Sequence, residues 1–287
     1  MTDSTQPQIS DEIAFMARDT VRAGARDQYL SNLLLPQNLQ PLAMVLDALH
    51  VELTNIALMR GEPVARQIRL QWWVEVFAGE RRGEGEGHPL AAACLDLAES
   101  GHVSLEVLSA KANAHMRELY ADPFEDKNTL EGWAGDTRAT SFQLLANAAR
   151  LTPPPDPALH GHAGVACGLI ALLQTASLRL GNSSGLYPLD LLTAVGLTAE
   201  DVLEKAASPS GRIDLRPFTA VMVDMAQNHL ASAQKHLGTD PVSRAIVRPL
   251  ALVRRYGAAI AKTPDIIWQG PATLPQWRVQ WLLWKGV

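Results

Sequence analysis

The sequence predicts an all-α fold, and three observations predict it. Apolar residues recur at three- and four-residue steps through most of the chain, the spacing that builds one buried stripe on a helix. Alanine and leucine dominate over β-branched and aromatic residues, a balance that favours helix over sheet. No segment shows the strict apolar–polar alternation of a half-buried strand, and no internal repeat is visible.

Taken in order, Met1 to Ser10 is a polar stretch expected to be a disordered lead-in, with no basic region of the kind that opens a signal peptide. Asp11 to Gly24 is amphipathic through Ile13, Phe15, Met16 and Val21. Asp27 starts the next segment and Pro36 interrupts it. Asn38 to Arg60 is the first long helix, with Leu42, Val45, Leu46, Leu49, Leu53 and Ile56 in register, closed by Gly61-Glu62-Pro63. Val64 to Gly79 is helical, and the glycine- and charge-rich run Glu80 to Gly87 is expected to be a solvated loop. His88 to Ser100, Ser104 to Tyr120 and Asn128 to Arg150 read as helices, with a break at Asp122-Pro123. The proline-rich Thr152 to Pro157 is short enough to be a stiff connection inside one domain. Leu159 to Leu180 is apolar enough for a buried central helix. Pro188 to Val195 and Thr198 to Ala206 are short helices, Leu215 to Leu237 and Pro241 to Lys262 long ones, and a last short helix ends near Trp284. Residues 11–287 are thus expected to form a single helical domain.

Composition narrows the function classes. Hydrophobic residues make up 47% of the 287, enough for a sizeable core, and charged residues only 19%. A net charge of −5 argues against a basic nucleic-acid surface. Cys94 and Cys167 are far apart and outside any CxxC spacing, so they read as buried reduced thiols. No apolar stretch is expected to reach the roughly 18–20 residues of a membrane span. These features point to a cytoplasmic protein, one that could also touch the inner membrane peripherally.

Several segments carry a more specific signal. Asp27-Gln28-Tyr29-Leu30 precedes Pro36 and then Leu46-Asp47-Ala48-Leu49-His50-Val51-Glu52. Arg69-Leu70-Gln71-Trp72-Trp73 holds a double tryptophan. Leu173-Gln174 through Arg179 is followed by Leu186-Tyr187-Pro188-Leu189-Asp190-Leu191-Leu192. In this order the chain resembles the squalene/phytoene synthase family. The resemblance implies a single-domain isoprenoid synthase-like helical bundle around a central cavity. It also implies a head-to-head condensation of prenyl diphosphates as the ancestral chemistry.

That chemistry ionises an allylic diphosphate, and the polyanionic leaving group needs divalent metal. Magnesium takes carboxylate oxygens, which a helix presents as Asp-x-x-x-Asp because residues four apart share a face. The first such site should fall between Glu52 and Leu58, where Glu52 is the sole acid; Asn55 could offer a carbonyl oxygen, but no second carboxylate sits four residues on. The second should begin just after Arg179, where the chain reads Leu180-Gly181-Asn182-Ser183-Ser184-Gly185 with no carboxylate. Glu52, Asn55 and Leu180 therefore mark degraded acidic positions, and no catalytic residue or metal ligand is assigned. No cofactor is expected, and magnesium only if a rearranged site survives. Within the family, Ile68 to Trp73, and Tyr120-Ala121-Asp122-Pro123 followed by Leu130 to Thr137, look closer to a catalytically degenerate branch that acts in respiratory complex I assembly.

The remaining candidates are lining residues. Arg69 and Arg179 could hold an anion, since guanidinium matches phosphate oxygens bidentately, or form structural ion pairs. Tyr29, Trp73, Gln174 and Tyr187 complete the cavity candidates. Trp72 and Trp73 point about 100° apart on a helix, so they are expected to pack in different directions. His160, His162, His229 and His236 lack the further ligands of a metal centre, and Asp122, Glu125 and Asp126 read as a capping turn. Trp277, Trp281 and Trp284 share a helix face with Arg278 and Lys285 nearby, a stripe that either closes the core or meets a partner or a membrane interface. The function expected is a non-catalytic homologue acting through a protein partner, such as a respiratory complex subunit, or a bound isoprenoid or lipid. Active prenyl transfer and an isoprenoid diphosphate carrier or sensor are the alternatives.

Overall fold

The structure is a computed structural model that describes residues 9–120, 122–181, 187–208 and 213–287. The expected lead-in and the acid-poor stretch 182–186 lie outside the described residues, apart from Ile9 and Ser10 of the former.

Ser10 caps α1 (Asp11–Gly24) by accepting from the Ile13 amide. α2 (Arg26–Asn32) leads to α3 (Gln40–Leu58), whose buried positions run almost unbroken from Leu42 to Leu49. By length and composition α3 could span a bilayer, which corrects the expectation that no stretch reaches that length. With 67% of it buried by the rest of the protein, it is the core helix instead. α4 (Pro63–Ala78) stops at Gly79, which takes a left-handed φ of +88°.

The run expected to be a loop holds a short helix, α5 (Arg82–Glu86). Arg81 pairs with Glu75 and Glu84, Arg82 pairs with Glu86 and Glu99, and Gly85 is buried against Val76. Alternating charge packs here because each charge finds an opposite partner, and a Cβ on Gly85 would stand 2.5 Å from the Val76 side chain.

α6 (Pro89–Glu99) and α7 (Leu105–Ala114) follow, and α7 tightens into a 3₁₀ turn at His115–Leu119. Asp126 caps α8 (Lys127–Ala134), as the capping-turn reading of this segment expected. A π-helical turn at Gly135–Ala139 then joins α8 to α9 (Thr140–Ala148).

Leu159 to Leu180 is two helices, not one. α10 (Pro157–Gln174) ends where the Thr175 hydroxyl bonds back to the Ala171 and Leu172 carbonyls, and α11 (Ala176–Gly181) resumes after that one-residue break. A short backbone bridge ties Phe124 to the 187–189 turn, with Phe124 N donating to Tyr187 O and Leu189 N to Phe124 O. α12 (Leu189–Ala194), α13 (Ala199–Ala207) with its Thr198/Asp201 capping box, and α14 (Arg216–Lys235) come next. The expected helix 241–262 is split at Pro249, which has no amide to continue the ladder, into α15 (Pro241–Ile246) and α16 (Leu250–Lys262). α17 (Ile266–Gln269) and α18 (Gln276–Lys285) finish the chain.

These helices form one bundle, with a single apolar core and no β-sheet among the described residues. α10 lies at its centre, packed on α14, α16, α9, α8 and the π turn, while α3 packs on α1, α4, α6 and the 3₁₀ turn. Glycine sets the closest approach: a Cβ on Gly164 would lie 2.2 Å from Ala139 Cα. α10 and the π turn that carries Arg138 therefore meet backbone to backbone.

Candidate functional site: a buried layer of paired charges

Between α2, α3, α7, the 3₁₀ turn, the π turn and α11 lies a layer of polar side chains. Each is delivered by a local feature. Asp47 and His50 sit on α3, Lys111 on α7, and His115 and Glu118 on the 3₁₀ turn. Thr137 and Arg138 sit on the π turn, and Arg179 is turned inward by α11 after the break at Thr175. Arg179 Nε also donates to Thr175 Oγ1 at 2.9 Å, so the residue that ends α10 holds the arginine as well.

Two ion pairs organise the layer. Arg179 donates to Glu118 Oε2 at 2.5 Å, and its guanidinium lies 5.7 Å from the Trp133 ring centroid. His115 Nδ1 lies 2.5 Å from Glu118 Oε1, close in distance but not aligned as a hydrogen bond. Burial pushes the Glu118 carboxyl up, but the Arg179 charge and hydrogen bond, with His115 close by, outweigh it and hold the carboxyl down at about 2. In the second pair, Arg138 stands 3.6 Å from Asp47 and donates to Gln28 Oε1. Gln28 donates to Asn32, and Asn32 donates to Asp47 at 2.7 Å, closing a ring of four side chains.

Lys111 is the third cation. Its Nζ donates to the Thr137 carbonyl and to Ser141 Oγ. Burial, with Arg138 adding repulsion, pushes its ammonium down to about 7, although Asp47 and Glu118 oppose the shift. Burial also keeps His50 well below the usual imidazole range, with Lys111 and Arg138 adding to it. The His50 and His115 rings lie 5.6 Å apart, and His50 Nδ1 and His115 Nε2 are enclosed without a hydrogen bond. Where the resemblance implied a central cavity, this part of the interior holds charged side chains.

These residues do not fit a magnesium-type site. Such an ion needs several open oxygen ligands, and the two buried carboxylates among the described residues, Asp47 and Glu118, are each engaged by arginine. On α3, Glu52 is half-buried and Asn55 exposed. Among the described residues, no three His, Cys, Asp or Glu side chains converge as metal ligands. The side chain of Leu180 lies outside the described residues.

Of the lining candidates, only Arg179 joins the charged layer. Arg69 is exposed on α4, with its guanidinium 3.1 Å from Met59 Sδ. Trp73 is buried beside Phe77 and His88; Trp72 donates to Glu84, yet its ring packs edge-on against Trp73 at 5.1 Å and also contacts His88, so the two indoles share a cluster where different packing directions were expected. Tyr29 is half-buried against the core. Gln174 donates to the Ala272 carbonyl and interacts with Tyr256, whose hydroxyl donates to Asp27 at 2.5 Å. Tyr187 is buried in the turn before α12. His162 and His229 approach Nδ1 to Nδ1 at 3.0 Å, with Glu131 beside His229 and Asp156 beside His236.

Sequence reasoning passed over Lys111, His115, Glu118 and Arg138, which carry most of the layer. One signal was present: charged residues on segments whose neighbours are otherwise alanine, leucine and small polar residues. Their partners lie between 26 and 110 residues away for Lys111–Thr137, Arg179–Glu118 and Arg138–Gln28, so no local spacing marked them.

Known structures share this architecture. The squalene synthase HpnC from Alicyclobacillus acidocaldarius is 18% identical, with a TM-score of 0.65 over 91% of this chain and 95% of that one. A dehydrosqualene synthase crystallised with ligand is 11% identical, with a TM-score of 0.70 over 96% and 95%. YisP from Bacillus subtilis subsp. subtilis strain 168 is 14% identical, with a TM-score of 0.67 over 99% of both. No curated protein matches the chain in sequence. The squalene/phytoene synthase family model matches residues 21–285, nearly the whole chain, and the protein belongs to that family.

Proposed function

We propose that this chain is a non-catalytic member of its family that acts through a protein partner or a bound lipid. The observation that carries the reading is the engagement of the two buried carboxylates among the described residues, Asp47 by Arg138 and Glu118 by Arg179. Metal-assisted ionisation of a diphosphate needs carboxylates free to hold the metal. Here they neutralise arginines instead. The absence of acid from the 182–186 sequence accords with this.

Partner action is supported by the face of α4. Val64, Gln67, Ile68, Gln71, Trp72, Glu75 and Arg81 line a surface groove of about 370 Å³. Val64 and Ile68 are largely exposed. Ile68, Gln71 and Trp72 belong to the segment that resembles the respiratory complex I assembly branch, and on that resemblance a respiratory complex subunit is the partner we propose. A cytoplasmic protein held peripherally at the inner membrane suits such a role.

A second reading, a carrier or sensor of an isoprenoid diphosphate, is favoured by the layer's three cations, the buried Lys111 and Arg179 and the partly buried Arg138, set against two carboxylates. The test is turnover and binding with purified protein, farnesyl and geranylgeranyl diphosphate, magnesium or manganese, with and without NADPH. No product and no metal-dependent binding is the expected result. Binding without product would favour the carrier. Released diphosphate with a thirty- or forty-carbon product would overturn both readings and establish prenyl transfer through a rearranged site.

A further inference from the structure

Charge is unevenly divided along this chain. Residues 241–287 hold seven Lys or Arg and a single acid, Asp265, a net +6. Residues 1–240 hold 18 basic and 29 acidic residues, a net −11. The basic segment folds as α15 to α18, and Arg254, Arg255, Lys262, Arg278 and Lys285 are exposed on it.

The same segment carries three exposed indoles. Trp277, Trp281 and Trp284 are 65%, 55% and 67% exposed, while Val279 and Leu283 of the same helix are buried against the bundle. Burial of one face orients α18 and leaves the tryptophans outward. Arg278 stacks over Trp277 at 5.2 Å, and the Trp281 and Trp284 rings lie 5.4 Å apart. The helix is anchored at its C-terminal end: Arg248 donates to the Leu283 carbonyl at 2.7 Å and Arg244 to the Val287 carbonyl at 2.7 Å. The stripe is therefore a firmly held face and not a frayed end. α18 also packs on α2, which runs into the exposed Leu33 and Leu34.

We propose that α18 is an interfacial helix that seats on an anionic lipid surface, with Trp277, Trp281 and Trp284 at the headgroup level and the basic side chains of α16 and α18 meeting the lipid phosphates. Indole suits that depth because its ring is apolar and its N–H polar. Anionic lipid, rather than a neutral bilayer, is the fitting occupant because the cations are concentrated here in a chain that is acidic elsewhere. The contact is reversible, since one short helix buries little surface.

The test uses the full chain and vesicles of phosphatidylcholine, either pure or with two-fifths phosphatidylglycerol. Co-sedimentation should be at least tenfold stronger with phosphatidylglycerol and should weaken as salt rises. Tryptophan fluorescence should shift to the blue and be quenched by lipids brominated near the headgroup. Trp281→Ser with Trp284→Ser should lose most binding with an unchanged circular dichroism spectrum. Arg278→Gln with Lys285→Gln should lose the preference for phosphatidylglycerol. Equal binding to both vesicles, no quenching in the unmodified protein, or a concentration-dependent dimer abolished by the tryptophan changes would each overturn the proposal. The dimer would assign the stripe to a second copy of the chain.

Discussion

Arg179 and Glu118 are 61 residues apart in sequence and meet at 2.5 Å in the interior, with the acid inaccessible to solvent. The pair is energetically asymmetric: breaking it costs more than never having had it. Arg179→Met leaves a buried carboxylate without its hydrogen-bonded guanidinium, with His115 beside it and Lys111 in electrostatic reach, and should destabilise the protein by about 3–5 kcal/mol. Arg179→Met combined with Glu118→Gln should recover much of that loss. A double-mutant cycle in urea checks both.

The same pair gives acid sensitivity a defined window. Glu118 is held at about 2, below its unfolded value near 4.5. Its contribution is fully present above the unfolded value and is lost as pH falls from there toward 2. Glu118→Gln should flatten that limb of the stability profile, measured by denaturation between these limits.

Lys111 acts at the opposite end of the pH scale. Its folded pKa of about 7 lies below the unfolded lysine value of 10.5. Between them the unfolded chain binds more protons, so stability should rise with pH over that interval. Lys111→Met removes the titrating group and should remove that rise, which denaturation at pH 7, 8.5 and 10 would reveal. A slope unchanged in the variant would show that Lys111 titrates normally.

Two glycines of α10 should respond with opposite sign. At Gly164 an added methyl meets Ala139 Cα at 2.2 Å, while at Gly161 it meets nothing within 4 Å. Alanine gains up to about 1 kcal/mol over glycine in a helix interior. Gly161→Ala should therefore stabilise by about that amount. At Gly164 the overpacking cost of about 1–3 kcal/mol outweighs the gain. Gly164→Ala should lower the melting temperature while Gly161→Ala raises it.

The histidine contact between α10 and α14 adds a mild acid limb. Burial, then the neighbouring His229 and His236, lowers the His162 pKa, with Glu131 and Asp156 opposing. As pH falls through the ordinary imidazole range the unfolded state takes up the proton first, so stability declines. His162→Gln should make the pH 5–7 decline shallower. His50, shifted the same way, keeps some of it in place.

The sequence by itself determined that the chain is helical, where most helices start and stop, and which family it resembles. Those properties are local. Stripe spacing, the Ser10 and Asp126 caps, and prolines at helix starts act over a few residues and need no partner from afar. Local rules also failed in recognisable ways. Thr175 and Pro249 broke helices whose apolar pattern ran on, and the charged run Glu80 to Gly87 folded because Glu75 and Glu99 were in reach. The family resemblance located Arg179 and Glu52, but not whether either has a partner. Only the tertiary structure decided that Arg179 meets Glu118, that Arg138 meets Asp47, and that Arg69 faces solvent. A side chain's charge is written in the sequence. Its neutralisation depends on distances of a few ångströms between segments far apart along the chain.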